Sequence, residues 1–136
     1  MSILEKEKAK IEALWNQGID ALENGDWESY SAIWAQDQRT EVLHPAQSSW
    51  WTGWKNISSK YQKILDKGIP IHGSTRRMNI QLGPSMDVAW MTTESELKYG
   101  KTGKRISWQV VIFQKIAGEW KIILAFDAPR RSTGKK

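Results

Sequence analysis

The most restrictive stretch of this chain of 136 residues runs from Lys104 to Asp127. Its first limb, KRISWQVVIFQK, alternates through Ile106, Trp108, Val110 and Ile112, with Ser107 and Gln109 between them. Its second limb, EWKIILAFD, is apolar on both parities: Trp120, Ile122, Leu124 and Phe126 on one, Ile123 and Ala125 on the other. Ala117-Gly118 supplies the turn. Period-two apolarity on both sides of a Gly-containing turn predicts a β-hairpin. A strand apolar on both faces needs cover on both faces. The parity predicts that Trp108, Val110, Ala125 and Asp127 form the wall of a pocket. It turns Val111, Phe113, Trp120, Ile122, Leu124 and Phe126 outward. An outward apolar patch of that size implies a partner, and a homodimer through those six residues is the simplest one.

Upstream, Ile11, Leu14, Trp15, Gly18, Ile19 and Leu22 mark one face of an amphipathic helix from about Ser2 to Glu23. Asn24-Gly25 ends it, with Gly25 suited to a left-handed cap. Asp26 caps a second helix to about Ala35, with Trp27, Tyr30, Ile33 and Trp34 as its stripe. Arg39 to His44 reads as a short strand closed by Pro45, and Ala46 to Trp51 as a loop. Thr52 is the expected cap of a third helix, Gly53 to Lys67, with the stripe Trp54, Ile57, Tyr61, Ile64 and Leu65. The period then changes to two, predicting strands over His72 to Leu82 and Met86 to Tyr99. Helices followed by a meander of strands indicate an α+β layer architecture.

Length sets one domain with a real core. Residues 1–128 are read as that domain and 129–136 as a basic tail. With no cysteine, disulfide frameworks and thiolate chemistry are excluded. No apolar run reaches the roughly 20 residues that span a bilayer, and MSILEKEKAK does not read as a signal peptide. A cytoplasmic protein without membrane contact is expected. The net charge of +5 is concentrated in Arg130, Arg131, Lys135 and Lys136, so nucleic acid is not the expected partner. Nine tryptophans stand where average usage gives about two. They imply an aromatic core, an aromatic-lined cavity or a buried interface.

Several short pieces, in order, resemble the nuclear transport factor 2-like superfamily in its SnoaL-like and ketosteroid-isomerase-like branches. They are ENGDW (Glu23–Trp27), WAQD (Trp34–Asp37), VLHP (Val42–Pro45), GWKNI (Gly53–Ile57) and AGEWKI (Ala117–Ile122). The resemblance implies a cone-shaped α+β barrel, three N-terminal helices on a curved, mostly antiparallel sheet. It also implies a ligand cavity at the open end and, usually, a homodimer. It does not imply one activity, because the superfamily holds isomerases, dehydratases, cyclases, epoxide hydrolases and non-catalytic assembly domains. The ketosteroid isomerases' catalytic aspartate corresponds to His44 here. Their oxyanion donors correspond to Gly18 and Val110, which cannot donate from a side chain, so that mechanism is not expected. Asp127 falls where a pocket residue lies beside the catalytic carboxylate.

His44 with Asp127 is thus the candidate catalytic pair, a general base and the carboxylate that orients it. The candidate ligand-binding set is Trp15, Tyr30, Trp34, Trp51, Trp54, Tyr61, Trp90 and Trp108, suited to a small apolar or aromatic molecule. Trp50 and Trp51 read as lid or packing residues. No cofactor is called for, and His44 with His72 lacks metal-ligand spacing. Two classes remain. An enzyme requires an open cavity with His44 and Asp127 within hydrogen-bond reach. A non-catalytic binding or assembly module leaves them apart, or the cavity filled.

Overall fold

The computed structural model describes residues 1–101 and 103–130. Helix α1 (Ile3–Asn24) starts at a capping box, in which Ser2 and Glu5 satisfy each other's backbone N–H groups. It stops at Gly25, whose φ of 64° is the left-handed cap its sequence predicts. Helix α2 (Trp27–Ala32) is capped by Asp26, which accepts from Ser29. It is shorter than its apolar stripe. Trp34 lies beyond it and forms a parallel bridge with Ile122. Helix α3 (Trp54–Asp66) follows Gly53.

Six strands form one sheet in the order β2-β1-β6-β5-β4-β3. They are β1 (Glu41–His44), β2 (Ser49–Thr52), β3 (Ile71–Leu82), β4 (Val88–Tyr99), β5 (Gly103–Ile116) and β6 (Glu119–Pro129). The β1–β6 pair is parallel and every other pair is antiparallel. The α+β class and the mostly antiparallel sheet are as expected. Two local expectations are corrected. Ser49–Thr52 is a strand rather than loop, because Trp50 and Trp51 pair with Leu43 and Val42 of β1. Thr52 ends that strand, and the third helix is capped by Gly53, which adopts a φ of 88° and has no side chain to accept a cap hydrogen bond.

The larger correction concerns the faces of the hairpin. On β5 the buried residues are Ser107, Val111 and Phe113, while Trp108 is 56% and Val110 38% exposed. On β6, Trp120 and Ile122 are buried with them. The register steps from Phe113↔Ile122 to Ile112↔Leu124, leaving Ile123 unpaired. This bulge exchanges the faces of β6. Trp120 and Ile122 point inward before it, and Ala125 and Asp127 after it. Val111, Phe113, Trp120 and Ile122 therefore belong to the protein's own core and not to an outward patch. Leu124 and Phe126 pair with Ile112 and Val110 on the opposite face. Strand β4 sorts likewise: Ala89, Met91, Thr93 and Ser95 are buried, and Trp90 is 43% exposed.

The core lies between this inner face and the helices, with Ile11, Ile33, Ile57, Met91, Val111 and Phe113 at most 2% exposed. Helix α1 is fastened at its first half by a buried carboxylate. Glu7 accepts from Trp120 Nε1 at 2.9 Å and pairs with Lys115 at 2.6 Å and Lys10 at 3.0 Å. These donors, Lys115 foremost, lower the Glu7 pKa to about 2. At the far end Pro129 closes β6, and Arg130 pairs with Glu94 at 3.1 Å. The rest of the expected basic tail, 131–136, lies outside the described residues. Among the described residues, no helix is long and apolar enough to cross a membrane.

Candidate functional site

A cavity of about 330 Å³ lies between the helices and the inner face of the sheet. Its wall follows from the stripes of three helices and one strand. Helix α1 contributes Trp15 and Gly18, α2 and its extension Tyr30 and Trp34, α3 Tyr61, and β2 Trp51. These rings pack edge to face: Tyr30 on Tyr61 at 5.4 Å, Tyr61 on Trp51 at 5.4 Å, and Trp51 on His44 at 5.3 Å. Such contacts hold aromatic planes in fixed relative orientation. Burial raises the pKa values of the Tyr30 and Tyr61 hydroxyls, so both remain protonated O–H groups.

The opposite end is polar. His44 ends β1, where Pro45 stops the strand, and Asp127 follows the bulge on the adjacent β6. Topology thus brings the two predicted residues to one wall, with His44 Nδ1 3.7 Å from Asp127 Oδ2. That is beyond hydrogen-bond length, and it is an ion pair only when His44 is protonated. The tighter partner of Asp127 is Arg105, whose Nη2 donates to Oδ2 at 2.9 Å while its Nε donates to Ser107 Oγ at 2.9 Å. Ser95 Oγ donates to Gln109 Oε1 at 3.0 Å beside them. Burial lowers the His44 pKa; the Asp127 charge opposes this and the Arg105 charge adds to it. The imidazole is accordingly neutral at neutral pH. Among the described residues, the buried side-chain atoms Asp127 Oδ1 and Trp34 Nε1 lie within hydrogen-bond geometry of no partner.

Of the predicted ligand-binding residues, Trp15, Tyr30, Trp34, Trp51 and Tyr61 line the cavity. Three do not. Trp54 stacks on Trp27 and on Trp34, both at 6.1 Å, behind the wall. Trp90 and Trp108 lie on the outer face of the sheet, where Trp108 Nε1 donates to Glu94 Oε2 at 2.8 Å. Trp50 is exposed and donates to Glu41, so it is no part of the cavity. Val110 also faces outward, and its lack of a polar group says nothing about the site. Sequence reasoning missed Arg105, Ser95, Gln109 and Tyr99, all of which line the cavity. A signal for Arg105 does exist. Arg105, Ser107 and Gln109 are a polar period-two run in a strongly apolar hairpin.

The model of the SnoaL-like domain matches residues 11–124 of the sequence. The chain belongs to the SnoaL-like domain family. Solved structures agree on the fold. A proposed dehydratase of the nuclear transport factor 2-like family from Streptomyces avermitilis superposes with a TM-score of 0.83 at 15% identity, over 95% of this chain and 99% of that one. A nuclear transport factor 2-like superfamily protein from Salmonella enterica gives 0.83 at 16%, over 96% and 95%. A proposed calcium/calmodulin-dependent protein kinase II association domain from Xanthomonas campestris gives 0.76 at 16%, over 90% and 87%. These identities establish a shared nuclear transport factor 2-like fold and no shared activity. Comparison with curated proteins found no match.

Proposed function

We propose that this SnoaL-like domain binds a small, largely apolar molecule in its cavity and acts on it as an isomerase, dehydratase or cyclase, with His44 as general base. The observation that carries this is the state of His44. Its ring lies on the wall of the aromatic cavity, burial holds its pKa below the usual imidazole value, and its Nδ1 stands 3.7 Å from the Asp127 carboxylate. A base of this kind, screened from water, takes a proton alpha to a carbonyl when a substrate lies against it. The oxygen that then gains charge needs a donor. The protonated Tyr61 and Tyr30 hydroxyls supply candidates on the same cavity. At 3.7 Å the pair falls outside the hydrogen-bond reach that the enzyme reading expected, so Asp127 supports the imidazolium by charge alone.

The test is a thermal-shift ligand screen on wild type and His44→Ala, followed by solvent deuterium exchange into the carbonyl compounds that bind. Exchange catalysed by wild type and lost in His44→Gln supports the assignment. Ligands that bind and exchange equally in both proteins would sink it.

A second reading, assembly through the sheet, rests on the outer face. Trp90, Trp108 and Val110 are 43%, 56% and 38% exposed, and Ile112, Leu124 and Phe126 continue the same face across β5 and β6. We propose that a second copy covers this face, consistent with its span across three strands. Sedimentation measures it: Trp108→Glu should shift a wild-type dimer to monomer, and a monomeric wild type refutes the reading.

A further inference from the structure

We infer that Arg105 is a positioning residue: it holds the Asp127 carboxylate to itself, keeps it off His44, and so leaves the imidazole a free base. The inference rests on the reading of His44 as general base. Its first support is that two residues face one atom. Asp127 Oδ2 accepts from Arg105 Nη2 at 2.9 Å and stands 3.7 Å from His44 Nδ1. The sheet order explains the contest. Strand β6 lies between β1 and β5, so His44 and Arg105 approach the Asp127 carboxylate from opposite sides. The Arg105 side is also the anchored one. Its Nε donates to Ser107 Oγ at 2.9 Å, and Ser107 is 0% exposed. A guanidinium fixed at Nε presents Nη2 in a set direction, and a charge-assisted bond of this length is the stronger hold on the carboxylate.

The second support is the charge balance around His44. Among the described residues lining the cavity, Asp127 on β6 and Arg105 on β5 are the charged side chains. Tyr30 on α2, Tyr61 on α3 and Tyr99 on β4 stay protonated. Helix α1 and strands β2 and β3 bring no titratable group to this wall. The protonation of His44 is therefore governed by one ion pair. A carboxylate closed onto an imidazole favours the imidazolium, and a guanidinium on that carboxylate offsets it. The sign matters for the chemistry. An imidazolium has no lone pair left to take a proton, so a closed pair at neutral pH would remove the base. Burial of His44 works in the same direction as Arg105.

The experiment is an NMR titration of the His44 ring in wild type, Arg105→Gln, Asp127→Asn and the double variant. Arg105→Gln should raise the proton affinity of His44 about tenfold, the low end of what a neighbouring charge does. It should also bring a strongly downfield Nδ1 proton signal, the mark of a hydrogen bond closed onto Asp127. Arg105→Lys should restore part of the wild-type behaviour. In the Asp127→Asn background, Arg105→Gln should move the midpoint far less, because Arg105 acts through Asp127. An equal rise in both backgrounds would show Arg105 acting by its own charge and would overturn the inference, as would no rise at all. Should Arg105→Gln fail to fold by circular dichroism, Ser107→Ala decides. It removes the anchor of Nε with every charge left in place, so a raised midpoint supports the positioning role and an unchanged one overturns it. The pH profile of deuterium exchange tests the reading beneath. In Arg105→Gln the rate should fall at neutral pH and recover above the new His44 midpoint. A raised midpoint with no exchange in wild type leaves the role of Arg105 standing and removes the general-base reading alone.

Discussion

The substitution Ile122→Ala bears most directly on how this hairpin is folded. Ile122 is 1% exposed on β6, immediately before the unpaired Ile123. Its N–H donates to Ile33 O at 2.9 Å, and its carbonyl accepts from Ala35 N at 2.8 Å. The backbone is thereby held to the segment after α2, and the site cannot collapse freely around a shortened side chain. Truncation of a buried isoleucine to alanine costs about 2–5 kcal/mol, the upper half where relaxation is restricted. At about 2.1 cal/mol/K of unfolding entropy per residue, a chain of this length loses about 3.5 °C of Tm per kcal/mol. The expected fall is therefore about 7–17 °C by differential scanning calorimetry. It should be equal at two widely separated protein concentrations, because the Ile122 side chain packs within its own chain. A residue at a subunit interface would behave otherwise, since its truncation would change how Tm depends on concentration. A fall under about 3 °C, or one that disappears on dilution, would refute the bulge and the inward parity of Ile122.

Three further outcomes are expected. Glu7→Gln should lower Tm and flatten the acid limb of stability. The lowered pKa of Glu7 contributes stability that is present above its ordinary value of 4.5 and is lost as pH falls toward about 2, and an acid titration followed by circular dichroism reads it. His44 acts in the other window. Its folded pKa is depressed, so the unfolded chain binds the proton first, and stability should fall as pH drops below about 6.5; His44→Gln should remove that slope, and the His44 NMR titration should lie below 6.5. Gly53→Ala should cost about 1–3 kcal/mol in denaturant unfolding although the Cβ has room, because the φ of 88° is strained for any other residue.

Much of the fold is legible because its signals are local. Gly25 and Asp26 mark the break between α1 and α2 by their own conformational preferences, and the stripes of α1 and α3 declare their buried faces. The hairpin is legible as a hairpin for the same reason. Its faces are not, because the more regular apolar series, Ile106, Trp108, Val110 and Ile112, reads as the inward one. The series that does point inward begins Arg105, Ser107, Gln109, and it is polar because it forms the polar end of a cavity rather than packed core.

The sequence by itself determined the order of the three helices, the first short strand and the four-strand meander, though not β2, together with the family pattern that VLHP and AGEWKI carry, and that resemblance named His44 and Asp127 as the pair to watch. These follow from periodicity, turn chemistry and short motifs, each contained within a few residues of chain. Only the tertiary structure decided which side of the hairpin looks inward, since one unpaired residue at Ile123 exchanges every side chain beyond it. It alone supplied Arg105 as the true partner of Asp127, a contact across strands that no spacing encodes. It alone separated the nine tryptophans into cavity wall, backing, packed core and exposed surface, because an indole side chain has the same identity in each place and differs only in what surrounds it.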